Sequence, residues 1–170
     1  TGCVDIDSVM VNDGIVVTAV SFPPSDASCN LACDGVGIAS GLGGDIAVSS
    51  AYGFIRDIAA GSQTTAMATG LCAGIDSVTV SDDIGCTDST QVIIAEPLPL
   101  SINLINPTNS DCDSLFCTGS VSSLVSGGIG LYSYLWSNGN TAASPADLCP
   151  GFNAVTVTDA NNCSDSASII

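Results

Sequence analysis

Two twelve-residue blocks decide the fold of this chain: LCAGIDSVTVSD at residues 71–82 and LCPGFNAVTVTD at residues 148–159. Each block contains Val-Thr-Val, a run of β-branched residues that favours an extended strand with both faces packed. The second block begins 77 residues after the first. The match indicates an internal repeat, so the chain is predicted to contain two copies of one β-rich unit.

The cysteines follow the same repeat. Four of the nine recur at corresponding places: Cys29, Cys33, Cys72 and Cys86 return as Cys112, Cys117, Cys149 and Cys163. The offset falls from 84 to 77 residues, which places a seven-residue length difference between Gly44 and Leu71. The ninth, Cys3, precedes an alternating run as Cys86 and Cys163 do, so residues 1–12 are predicted to be a strand belonging to, or completing, a neighbouring unit.

Charge and composition exclude several classes of protein. Arg56 is the only Lys or Arg against 17 Asp or Glu, and there is no His, so the formal net charge is −16. A nucleic-acid binder needs a basic surface, and anionic membranes repel such a chain. Histidine or lysine catalysis and histidine-bound metals are impossible. The chain is 46% hydrophobic, which predicts a folded core.

Cysteine usage indicates the compartment. Without His or a Cys-x-x-Cys pair, the nine cysteines favour disulfides in an extracellular setting over a zinc site. No signal peptide opens the sequence, so we expect a processed N-terminus or a segment of a longer chain. No apolar run approaches about 18 residues, which argues against a transmembrane helix.

Short strands between turns are predicted along the whole chain. Proline and glycine interrupt every helical period, and the spacing of the strands is typical of an antiparallel β-sandwich. A Glu-Pro-Leu-Pro linker starts at Glu96, so we predict units at residues 13–97 and 98–170. The predicted strands cover residues 15–22, 36–40, 46–55, 77–81, 91–95, 101–105, 120–125, 131–136, 154–158 and 167–170.

An aromatic strand stands out in the second unit. Tyr132, Tyr134 and Trp136 alternate at period two, which places the three rings on one face of a strand. They could form a sugar-binding platform, but we favour a core role, since such faces usually pack inside a sandwich. Eighty residues earlier, Arg56 takes the place of the Trp.

Residues 20–170 resemble the SprB repeat, which occurs in tandem arrays in cell-surface and gliding-motility adhesins of Bacteroidota. The second unit carries GGIGLYSYLWSNGNT at residues 127–141, LCPG at 148–151 and VTVTDANNC at 155–163. The first unit departs from the pattern at Arg56. The resemblance implies tandem, disulfide-bonded, Ig-like antiparallel β-sandwiches, an extracellular location, a structural or adhesive role, and no catalytic residue.

Disulfide pairing within such a unit has three possibilities. Cys33 should open one strand and Cys72 should precede another at the same end of the sandwich, whereas Cys86 should lie at the opposite end. We therefore favour Cys72 pairing with Cys29 or Cys33. Cys86 and Cys163 would then bond to a neighbouring unit, and Cys3 needs a partner outside its own unit.

Loop carboxylates and Asp-Ser dipeptides are the remaining candidate sites. Carboxylates in loops are what Ca²⁺ needs, yet Asp is also a favoured turn residue, and we favour the turn role over a calcium site or a glycosidase pair. The candidates are Asp82, Asp83, Asp111, Asp113 and Asp159. The Asp-Ser dipeptides are similar to the O-glycosylation motif of Bacteroidota, which makes Ser8, Ser77, Ser89, Ser114 and Ser166 candidate glycosylation sites.

Together these patterns predict an acidic extracellular structural protein, part of a bacterial surface filament or fibre. Its partners would be copies of itself in a homopolymer or a long tandem array, with an added strand completing an open sheet edge. The alternative is an adhesin repeat that binds glycans or cell surfaces. Neither a cofactor nor an enzymatic activity is expected.

Overall fold

The computed structural model describes residues 16–57, 60–110 and 117–170, and regular structure in these ranges is β-strand throughout. The predictions for residues 1–12, Cys3, Ser8, Asp111, Cys112, Asp113 and Ser114 lie outside the described residues. The strands are β1 (Val17–Ser21), β2 (Gly35–Gly43), β3 (Gly53–Arg56), β4 (Met67–Leu71), β5 (Gly74–Ser81), β6 (Thr87–Ile94), β7 (Ser101–Thr108), β8 (Ser120–Ser126), β9 (Ser133–Trp136), β10 (Asn153–Thr158) and β11 (Ser164–Ile169).

The protein divides into two compact units that are not continuous in sequence. Among the described residues, the first unit holds 16–24, Gly37–Ala68 and Ile75–Ile93, and the second holds Ser25–Val36, Thr69–Gly74 and Ile94–Ile170. The boundaries predicted from the repeat follow chain order instead and stay a prediction. No helix of the described residues is long and apolar enough to span a membrane.

The first unit is a two-sheet sandwich. β1 pairs antiparallel with β2, and β3 pairs antiparallel with β5. Val17 and Ala39 from the first sheet pack against Val78 and Val80 from the second, and each is at most 3% exposed. Alternate residues of β2 and β5 are buried, because successive side chains of a strand point to opposite faces.

The second unit repeats this arrangement. β7 pairs with β8, and β10 lies between β9 and β11, all antiparallel. The core contains one tryptophan surrounded by aliphatic residues of both sheets: Ile102, Val121, Trp136, Leu148, Val155 and Val157. The predicted fold class, tandem Ig-like antiparallel β-sandwiches with disulfides, is confirmed.

Two strand predictions were wrong in the first unit. The strand predicted at 46–55 starts only at Gly53, because residues 46–50 form a turn in which the Ser50 N–H donates to the Ile46 carbonyl at 2.8 Å. This turn contains part of the seven-residue length difference between the repeats. The strand Met67–Leu71 was missed, since its small residues and Gly70, at φ 71°, resemble a turn in sequence.

Candidate functional site

The turn that ends each diagnostic block is held by one aspartate. In the first unit, the Asp82 carboxylate accepts the N–H groups of Asp45 at 2.9 Å, Ile84 at 3.1 Å and Cys86 at 2.8 Å. The Asp82 N–H in turn donates to the Cys86 carbonyl at 3.0 Å. These bonds fix the position of Cys86 at the start of β6.

The second unit builds the same turn on Asp159. Its carboxylate accepts the N–H groups of Ile129 at 2.8 Å, Asn161 at 2.9 Å and Cys163 at 2.9 Å. The approach is so close that a Cβ on Gly128, where φ is +62°, would lie 2.6 Å from Asp159 Oδ2. This glycine is therefore required by both its backbone conformation and its neighbour.

Hydrogen bonding favours the ionised form of both aspartates. The Asp45 N–H has the largest effect in lowering the pKa of Asp82, and the Ile129 N–H does the same for Asp159. Since backbone donors occupy their oxygens, these two residues have the geometry of turn formers.

Asp83 also serves a turn. Its carboxylate accepts the N–H groups of Val48 and Ser49 at 2.9 Å, and the Ser49 hydroxyl is the largest cause of its lowered pKa. The second unit has Ala160 at this position and lacks the longer loop that Asp83 holds in the first. Among the described residues, no three acidic or cysteine side chains are placed to hold a metal ion. The geometry thus favours the turn interpretation over calcium for Asp82, Asp83 and Asp159.

The aromatic strand faces the core. Trp136 is 2% exposed, and its Nε1 donates to the Ala142 carbonyl at 2.9 Å. Tyr132 and Tyr134 are half-buried and pack against the same core, and the Tyr132 hydroxyl donates to the Gly127 carbonyl at 2.7 Å. The structure favours the core role over a sugar-binding platform.

Arg56 is buried, which sequence reasoning missed. It is 2% exposed and pairs across strands with Val78, as Trp136 pairs with Val155. Its guanidinium forms an ion pair with Asp76, which is itself 4% exposed. The available signal was a lone cation at a core position, because a buried charge requires a partner.

Two disulfides close equivalent loops. Cys33 bonds to Cys72 and Cys117 bonds to Cys149, with Cα–Cα distances of 3.9 and 4.1 Å. Of the two partners that the sequence left open for Cys72, the structure uses Cys33.

A third disulfide joins Cys29 to Cys163 across 134 residues of sequence, with Cα atoms 5.8 Å apart. Cys29 belongs to the first sequence repeat and Cys163 to the second, yet both lie in the second compact unit. Cys86 is exposed and has no disulfide partner among the described residues. The prediction had sent both Cys86 and Cys163 to a neighbouring unit.

Three candidate glycosylation serines can be placed. Ser89 and Ser166 are exposed at equivalent strand positions, and each hydroxyl lies opposite a threonine, Thr79 at 3.0 Å and Thr156 at 3.2 Å. Ser77 is half-buried in β5, and its N–H donates to Asp57 at 3.1 Å. Ser89 and Ser166 therefore offer better access to a modifying enzyme than Ser77.

No family model and no curated protein matches the chain. Among solved structures, it is similar to three N-terminal domains of the highly immunogenic outer capsid protein Hoc of bacteriophage RB49, at 18% identity and a TM-score of 0.47 over 91% of this chain. It is also similar to a Dscam structure that concerns isoform specificity, at 15% identity and a TM-score of 0.31 over 88% of this chain. The chain spans 57% and 45% of the lengths of these two structures.

Proposed function

We propose that this chain is an extracellular structural protein, a subunit or segment of a bacterial surface filament or fibre made of tandem Ig-like repeats. The observation that carries the proposal is the Cys29–Cys163 disulfide, which links the two sequence repeats to each other covalently. A fibre that bears load needs its repeats held together more firmly than by a flexible linker. A disulfide network of this kind also persists only in an oxidising compartment.

The character of the surface supports the same proposal. The sequence has no Lys, and its one Arg is buried in an ion pair, so the native fold exposes no cleavage site to trypsin-like proteases. The many aspartates keep a largely apolar chain soluble and reduce unspecific association. Both properties suit a protein that must persist outside the cell.

The repeat pattern supports the proposal from the sequence side. The chain resembles the SprB repeat, which builds long surface arrays from units of this size. On this interpretation the chain performs no catalysis, and its aspartates and aromatic residues serve turns and core.

Electron microscopy of the native material tests the proposal. We expect filaments or extended arrays whose axial repeat matches one or two sandwich units, and reduction with a thiol should make them fragile. A glycan array with the intact chain addresses the adhesin alternative. Specific, saturable glycan binding by smooth monomers would contradict the filament proposal.

A further inference from the structure

The Cys29–Cys163 bond joins two surface elements of the second unit. We call residues 159–163 the docking turn, and residues 25–31 with Glu96 and Pro97 the socket. The two elements line a common cleft, and the Asn161 amide donates to the Ser28 carbonyl at 2.8 Å. Glu96 shapes the socket by accepting from the Asn30 amide at 3.0 Å and the Leu31 N–H at 2.6 Å. The disulfide is thus one part of a formed interface.

The first sequence repeat has its own docking turn at residues 82–86. Asp82 holds it with the same hydrogen bonds that Asp159 makes, so Cys86 occupies the position of Cys163. Cys86 is exposed and has no disulfide partner among the described residues. Ile84, which replaces Asn161, is 63% exposed. This turn therefore has the form of the 159–163 turn, while its cysteine is bonded to none of the described residues.

The socket recurs as well. Its counterpart in the second repeat starts at residues 108–110, and the backbone there is built alike. A Cβ on Gly35 would lie 2.9 Å from the Leu71 carbonyl, and a Cβ on Gly119 would lie 2.9 Å from the Leu148 carbonyl. This second socket is an open groove of about 570 Å³. Its lining is largely apolar and includes Pro107, Val121, Leu148, Pro150, Ile169 and Ile170.

The second socket also has a cysteine in its sequence. Cys112 corresponds to Cys29 by the repeat offset of 83 residues, and it lies outside the described residues. The chain therefore carries one docking turn and one socket that are joined, and a second turn and socket with no such bond among the described residues.

We propose that the 82–86 turn of one copy of this chain docks into the second socket of another copy, where Cys86 forms an intermolecular disulfide with Cys112. This bond repeats the Cys29–Cys163 bond between molecules. The interface is heterologous, since a turn on one copy meets a socket on the next, and such contacts generate open linear arrays when they do not close. The inference rests on the proposed filament and names how its copies are joined.

The chemistry is an ordinary thiol–disulfide exchange. A low-molecular-weight disulfide such as oxidised glutathione accepts two electrons and is reduced to two thiols. Cys86 and Cys112 each lose a proton, and one S–S bond forms between them. Exposure of Cys86 permits the attack, and docking of the turn brings the second sulfur within reach.

A mixing experiment tests the proposal directly. In a Cys3→Ser background with a glutathione redox buffer, we expect a ladder of covalent multimers on non-reducing electrophoresis. Cys86→Ser and Cys112→Ser should each stay monomeric when alone. Their mixture should give dimers and nothing longer, because each variant supplies one half of a single bond. Peptic digestion and mass spectrometry should recover a Cys86–Cys112 linked peptide.

A matched pair of variants tests the docking surface. Ile84→Asp should slow multimer formation by about tenfold or more, since it removes one buried apolar side chain from the interface. Ile93→Asp, at a side chain of similar exposure on β6, should leave the rate unchanged. Equal effects of the two variants would contradict the proposed docking mode.

Two results would overturn the inference. One is a multimer ladder that persists in Cys86→Ser, and the other is a Cys86–Cys3 link within wild-type monomers. If microscopy nonetheless shows filaments, the proposed function stands and only the junction is wrong. If the mixture forms dimers but native material contains no filaments, the junction stands and the filament proposal fails.

Discussion

Arg56 and Asp76 form a buried ion pair at the positions where the second unit has Trp136 and Asn153. Arg56 and Trp136 are each 2% exposed, and Asp76 and Asn153 are 4% and 8% exposed. The two cores thus fill equivalent space with a charged pair in one unit and a neutral pair in the other. The guanidinium is satisfied by further bonds to the carbonyls of Gly37 at 3.2 Å and Ala66 at 2.8 Å.

Removing one partner of this pair should cost more than removing both. Asp76→Asn leaves the guanidinium without a counter-charge and should destabilise the first unit by about 3–5 kcal/mol. Arg56→Met combined with Asp76→Asn should recover most of that loss, since a neutral pair occupies the equivalent place in the second unit. Guanidinium denaturation followed by circular dichroism measures both. A double variant as unstable as the sum of the single variants would show that the charges are uncoupled.

Acid should weaken both units through the turn aspartates. The pKa values of Asp82 and Asp159 lie below the ordinary 3.8, so each carboxyl binds fewer protons in the folded chain than in the unfolded chain. Their stabilisation is complete above pH 3.8 and is lost as the pH falls through the lower folded pKa. In urea titrations from about pH 7 to about pH 2, Asp159→Asn should show a shallower loss of stability than the wild type. Equal slopes would contradict this assignment.

The Cys29–Cys163 bond should be the most stabilising of the three disulfides of the described residues. It spans 134 residues, against 39 for Cys33–Cys72 and 32 for Cys117–Cys149. Because the two shorter loops are nested inside it, the expected contribution is about 4 kcal/mol, while each short loop is worth about 3 kcal/mol. Paired Cys→Ser variants compared in guanidinium would rank them. A smaller effect for the long loop would show that the unfolded chain keeps the two segments close.

The core role of the aromatic strand can be tested with adjacent residues. Trp136→Ala should destabilise the second unit by about 3–5 kcal/mol, because it empties a tightly packed site. Leu135→Ala is the matched control, since Leu135 is 60% exposed on the opposite face of β9 and its loss should change stability by about 0.5 kcal/mol or less. Thermal unfolding by calorimetry measures both. Comparable losses would mean that Leu135 is covered in the assembled protein.

Most strands were predictable because their signal is local. In β5 and β10 the Val-Thr-Val alternation coincides with the pattern of burial, so the periodicity of the sequence was sufficient. The 45–51 turn was not predictable in this way. Its residues are apolar enough for a strand, and it exists because Asp83, far along the chain, accepts the N–H groups of Val48 and Ser49.

The candidate site was predictable in outline only. The sequence identified the turn aspartates and suggested that they serve turns, since Asp is a favoured turn residue. Their shared network of three N–H donors required coordinates, because the donors at Asp45 and Ile129 come from a distant loop.

By itself, the sequence determined the class of this protein: a repeated, all-β, acidic chain whose cysteines predict disulfides. Those properties follow from side-chain alternation, composition and spacing, which act over a few residues or over the chain as a whole. Only the tertiary structure decided that Cys33 rather than Cys29 pairs with Cys72, that Cys29 reaches Cys163, and that Arg56 meets Asp76. These pairings depend on where the packing of two sheets brings distant residues together, and no local pattern of sequence encodes that distance.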